Sequence, residues 1–297
     1  MIYTTTSNVR MCAMSVNAGR PCARALCAAL RAAREASSLG VRELARAVDL
    51  SPVQISQYER GERIPGEART GVILGALKVS SSEQNRILAL VRAAKEPNWL
   101  TVGVNGVPQQ LDMLTEHERA ASGITHWEPL VIPGLLQTPD YTRSIKEAGG
   151  LQHEEIGVRL VVNAGRRDVV TTVSKPVNYE AIIGEAALLS PIACNAVMAD
   201  QLRHIIDDAK RSNVAVRVMP EKTSWHPGLS GPFVFFTYPD APPLVYLEHH
   251  SSGAWVSQDY DIEEYAKAID WMRRTTLDPE KSLERIEKLA EVWEVSP

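Results

Sequence analysis

The stretch "LARAVDLSPVQISQYERGERIP", residues 44–65, sets two short helical patterns around a four-residue break. Ser51 is placed to cap the second pattern, Pro52 stands at its first helical position, and Gln54 follows three residues after the cap. Helical spacing turns Leu44 and Ala45 inward, lines the turn with Val48 and Leu50, and returns Ile55 and Tyr58 to the core. Pro52, Val53, Gln54, Ser56, Gln57 and Arg60 are left for the outer face.

A helix, a tight turn and a second helix crossing it make a helix-turn-helix, whose second helix enters the DNA major groove. The outer face suits that use. Glutamine can bond an adenine edge twice, and an apolar side chain can touch a thymine methyl. Pro52, Val53, Gln54 and Gln57 are therefore the expected base-contacting residues. Arg42, Ser56, Arg60 and Arg63 flank them and suit phosphate contacts, which fix register without reading sequence.

Charge along the chain agrees. Between Arg20 and Leu100 there are 13 Lys/Arg against 8 Asp/Glu, whereas Thr101–Pro297 holds 18 against 28, in a chain of net charge −4. A basic module on an acidic body points to an anionic partner for the module alone.

The same residues resemble the phage-repressor-like (XRE) family. Glu43-Leu44-Ala45, Leu50-Ser51, Ile55-Ser56, Glu59, Gly61, Arg63 and Pro65 fall on its E-L-A, turn-Ser, I-S and E-x-G-x-R-x-P pattern. The resemblance implies a structural ion pair between Arg34 and Glu59. Val41 departs from it, standing where relatives often carry a polar residue near a phosphate.

Helical patterns run over Cys22–Ala36, Val41–Val48, Pro52–Arg60, Glu67–Leu77 and Ser81–Lys95, and predict an all-α helix-turn-helix domain of five helices. Residues 1–19 read as a disordered tail, 20–97 as the DNA-binding domain, and 98–108 as a linker rich in Gly and Pro. Residues 109–297 read as a larger α+β domain. Its strands are expected at 178–184, 214–220, 231–239 and 242–250. A helix is expected between the first two strands, and two more after the last, the final one capped by Asp278-Pro279.

Segments of the larger domain, "PLVIPGLLQTPDY", "IIGEAALLSP" and "GLSGPFVFF" among them, resemble the domain that follows such a helix-turn-helix in many actinobacterial regulators. That domain was long catalogued as of unknown function. The resemblance implies a transcriptional regulator, often antitoxin-like and often paired with a small protein encoded nearby.

Catalytic motifs fail on inspection. "HEEIG" at 153–157 has Gly where a zinc-protease helix needs its second His, and "GLSGP" at 228–232 lacks the nucleophile-elbow spacing. His249 and His250 are adjacent on an expected strand and point to opposite faces. No catalytic residue, metal or cofactor is expected. Aromatic residues including Trp127, Trp225, Phe233, Phe235, Phe236, Tyr238, Tyr246 and Trp255 serve the core, and some could line a ligand cavity or a partner interface.

The expected protein is a cytoplasmic, nucleoid-associated homodimer on a palindromic DNA operator, with no membrane span, and a repressor or antitoxin-like regulator. The alternative is an enzyme or small-molecule-binding domain tethered to a DNA-binding anchor.

Overall fold

The computed structural model describes residues 21–95, 100–102, 107–172, 176–249 and 252–295. The chain divides into two compact units, Met1–Asn98 and Trp99–Pro297. The tail expected at 1–19 lies outside the described residues.

The first unit is helical: α1 Pro21–Ala36, α2 Val41–Ala47, α3 Pro52–Glu59, α4 Glu67–Ala76 and α5 Ser81–Lys95. Apolar spacing on α1 buries Ala23, Leu26 and Leu30, and this face packs on α5 and α3. Local chemistry sets the helix ends. Glu43 reaches back to accept from the Gly40 amide at 2.8 Å, and Ser80 Oγ accepts from the Glu83 amide at 3.3 Å.

Helix α3 stops in a Schellman turn. Gly61, at φ 75°, donates to the Tyr58 carbonyl, and the Glu62 amide donates to the Gln57 carbonyl at 3.0 Å. The same 6→1 bond closes α2 (Leu50 to Ala45) and α4 (Val79 to Leu74), but there the left-handed residues are Asp49 and Lys78. A side chain in that conformation costs about 1–2 kcal/mol. Gly61→Ala is therefore expected to destabilise the first unit by about 1–2 kcal/mol, and Lys78→Gly to stabilise it by about 0.5–1 kcal/mol. Far-ultraviolet circular dichroism of the thermal transition checks both signs.

The second unit is built on a seven-stranded mixed sheet in the order β1 (Leu100–Val102), β7 (Ser252–Val256), β6 (Leu244–Glu248), β5 (Phe233–Thr237), β2 (Gly123–Glu128), β3 (Asn178–Gly184) and β4 (Val214–Met219). Strands β2 (Gly123–Glu128), β3 (Asn178–Gly184) and β4 (Val214–Met219) run parallel. Parallel neighbours require crossovers, and helices supply them. Between β2 and β3 come α7 (Pro139–Ala148) and α8 (His153–Thr171), and between β3 and β4 come α9 (Glu185–Leu189) and α10 (Asn195–Asp208). Strands β5 (Phe233–Thr237), β6 (Leu244–Glu248) and β7 (Ser252–Val256) form an antiparallel meander, with β5 pairing against β2.

Several stretches depart from the sequence expectation, helix α8 and strand β7 among them. The segment read as a linker carries β1 (Leu100–Val102), antiparallel to β7, and the start of α6 (Val107–Ala120). A three-residue edge strand is too short to show a period. Strand β2 was also not expected: "GITHWE" alternates, but His126 and Glu128 stand among its inward and half-buried positions.

Side chains alternate between the sheet faces. On one face Trp127, Ile182, Phe233, Phe235 and Val245 meet Ile262, Ile269 and Met272 of α11 (Asp259–Thr275). Helix α12 (Pro279–Val295) starts where Asp278 Oδ1 accepts from the Lys281 amide at 2.9 Å, and it packs on α10 and β4. On the opposite face His117 of α6 rests 4.4 Å from the Trp255 ring and bonds Tyr238 Oη at 2.8 Å.

That opposite face also holds an ion pair. Arg166 of α8 donates from Nε and Nη2 to the two carboxylate oxygens of Glu118, at 2.9 and 2.6 Å, with both side chains buried. Burial works against the guanidinium charge, and Glu118 more than offsets it.

Candidate functional sites

Helix α3 is held by contacts the opening stretch makes with itself and with α1. Ser51 Oγ accepts from the Gln54 amide at 3.2 Å, while Gln54 Oε1 accepts from the Ser51 amide at 3.0 Å, a closed capping box. Ile55 and Tyr58 are buried, as are Leu44, Ala45 and Val48 of the preceding helix and turn.

At the far end Arg34 Nε and Nη2 donate to Glu59 Oε1 and Oε2, at 2.6 and 2.9 Å. Arg34 also donates to the Leu39 carbonyl at 3.3 Å. Hydrogen bonding to Glu59 raises the Arg34 pKa further above its ordinary value. The structure thus brings together the two residues that the resemblance paired, and the bidentate geometry fixes α3 against α1.

With both ends fixed, α3 presents a defined outer surface. Pro52 and Val53 are exposed, Val53 at 62 %, and Gln54, Ser56 and Gln57 are half-buried. Arg42, Arg60 and Arg63 are exposed around them. Two details refine the expected roles. Gln54 has its carboxamide oxygen in the cap, so its amino group alone remains to address a base, whereas the bidentate adenine contact needs both. Arg60 Nε donates to Glu62 Oε1 at 2.7 Å, so part of its charge is already answered within the protein.

The second unit carries a cavity of about 530 Å³ beside α11. Trp225 and Trp271 stand at its sides with rings edge to face at 5.3 Å, and Phe233, Tyr265 and Leu247 lie beneath. The loop bearing Trp225 is pinned from below, where Trp127 Nε1 donates to the Gly228 carbonyl at 2.9 Å. A Cβ on Gly228 would come within 2.8 Å of the Trp127 ring and 2.9 Å of the Met272 methyl, so only glycine permits this close approach.

Two stretches match known family models: residues 25–87 match one described as a helix-turn-helix domain, and residues 111–288 match one described as a domain of unknown function, DUF5753. The second match takes in more than half of the chain. The chain belongs to the DUF5753 family. No curated protein and no solved structure matches it.

The helix-turn-helix match supports a DNA-binding regulator rather than an enzyme. No described helix is long and apolar enough to cross a membrane. In the DUF5753 region the aromatic residues divide between core and cavity. Trp127, Phe235, Phe236, Tyr246 and Trp255 are buried structural residues, and Tyr238 bonds His117. Trp225 and Phe233 reach the cavity, joined by Tyr265 and Trp271, which sequence reading did not assign to a site. Their spacing on α11 offered a signal: Glu264, Ala268 and Trp271 recur at i, i+4 and i+7, next to the buried stripe of Ile262, Ile269 and Met272.

The failed catalytic motifs also have places. His153 opens α8 and is exposed, and Ser230 ends a short 3-10 turn. His249 reaches the cavity edge, while His250 lies outside the described residues. Among the described residues no three His, Cys, Asp or Glu side chains group as a metal-ligand set. Burial pushes the α1 thiols of Cys22 and Cys27 up to about 11 and about 12, which leaves them protonated and unreactive.

Proposed function

We propose that this protein is a sequence-specific transcription regulator, repressor or antitoxin-like, that binds a palindromic operator as a homodimer. In this reading α3 lies in the major groove. Gln57 makes the bidentate base contact, Val53 and Pro52 touch thymine methyls, and Gln54 donates from its amino group. Arg42, Ser56, Arg60 and Arg63 hold the phosphates on either side. The DUF5753 domain joins the protomers and receives the signal, as a ligand or as a small protein partner. It works in the cytoplasm, at the nucleoid.

One observation carries the proposal. A helix of only eight residues is fixed at its start by the Ser51–Gln54 box and at its end by the Arg34–Glu59 pair, while its outer side keeps a polar, arginine-flanked surface. A helix used only for packing has no need of that surface.

The test uses DNA recovered from cross-linked cells. Gln57→Ala is expected to weaken operator binding by about 1–3 kcal/mol and to relax preference at one base pair. Arg60→Ala should weaken all sequences alike and flatten the dependence on salt. Glu62→Gln, which frees Arg60, should tighten binding and steepen that dependence. Unchanged affinity and preference in Gln57→Ala would place the reading surface elsewhere.

A further inference from the structure

We infer that the α11 cavity is a binding site for a neutral, planar, multi-ring small molecule, held edge and face by Trp225 and Trp271. The inference rests on reading the DUF5753 domain as the receiving part of a regulator, and it names what that part receives.

Shape favours a small molecule over a protein surface. A stable protein interface buries more than ~1,000 Å² across a broad patch. Here the apolar side chains enclose a concavity of about 530 Å³, within the ~300–1,000 Å³ usual for pockets that take drug-sized ligands. Phe233 and Tyr265, edge to face at 5.0 Å, and the Leu247 side chain give it a floor.

The cavity is preformed. Its tryptophan-bearing loop is tied to the core by the Trp127–Gly228 bond and braced within itself by the turn bonds Leu229 to His226 and Gly231 to Gly228. A wall set before the ligand arrives lowers the ordering cost of binding. Yet Trp225 and Trp271 remain 64 % and 44 % exposed, an unusual expenditure of large rings on water.

Charge decides the ligand's class. The two charged residues of α11 at the cavity answer each other, Lys267 Nζ donating to Glu264 Oε1 at 2.7 Å. Apart from His249 at its edge, the cavity lining offers a ligand ion no charged partner outside that pair. A neutral ring system stacks on the indoles and leaves it intact.

The experiment uses the full chain and the neutral fluorophore N-phenyl-1-naphthylamine, whose naphthalene supplies a planar two-ring face. Saturable binding of one probe per chain is expected, with tryptophan emission quenched as probe emission rises. Ala268→Trp, which fills the space, and Trp271→Ala should each weaken binding at least tenfold. Trp225→Ala, at an exposed position that leaves the core intact, should do the same. The double variant Glu264→Gln/Lys267→Met should bind within threefold of the parent. Non-saturable binding, or binding undiminished in Trp225→Ala and Trp271→Ala, overturns the site, and a large loss in the charge-free double variant overturns the neutral class. Operator binding by the same samples is scored separately, so the loss of one activity does not imitate the loss of the other.

Discussion

Replacing Arg166 with methionine is expected to lower the stability of the second unit by about 3–5 kcal/mol, the usual result of leaving one member of a buried ion pair without its partner. Glu118 would then face an apolar side chain, since both of its carboxylate oxygens accept from Arg166. A polar group left unpaired in the interior is costly. The double variant Arg166→Met/Glu118→Leu removes both charges and should recover much of the loss. Detection is simple because all six tryptophans belong to the second unit. Tryptophan emission during urea unfolding therefore reports this unit alone. A shift below 1 kcal/mol in Arg166→Met would mean that water reaches the pair.

A larger effect is expected on DNA from dividing the chain. A fragment of residues 20–97 should fold as a helical domain and bind the operator ~10²–10⁴-fold more weakly than the full chain, having lost the tethering of two reading helices on one site. Its residual binding should fall steeply with salt, as phosphate neutralisation requires. A fragment of residues 109–297 omits strand β1, so 99–297 is the better counterpart; it should fold and show no DNA affinity. Titration of each against the operator at two salt concentrations gives the answer. Full affinity in the small fragment, or any in the large one, would sink the division of labour.

How much of this was legible beforehand depends on how locally each feature is encoded. The Ser51–Gln54 box, the Asp278 cap and the Gly61 turn are made by residues within a few positions of one another, and their spacing is visible in the sequence. The Arg34–Glu59 contact spans 25 residues and was available only through the family resemblance. Strand β7, "SGAWV", follows a His-His-Ser run and has few β-branched residues, so only its place beside β6 makes it a strand. The cavity was the least legible feature. Its walls come from a loop near Trp225 and a helix near Trp271, and nothing in either segment says that the other lies opposite.

The position of β2 has a consequence in time. Its antiparallel partner β5 lies 114 residues later along the chain at the Gly123–Thr237 pairing. Contacts so distant close slowly, because the loop entropy must be met before the pairing repays it. A chain emerging from the ribosome at ~5–20 residues per second completes its helical unit first. For several seconds afterwards β2 and β3 exist without the meander that covers their open edge. In each newly made molecule helix α3 is therefore finished before the sheet of the second unit can close.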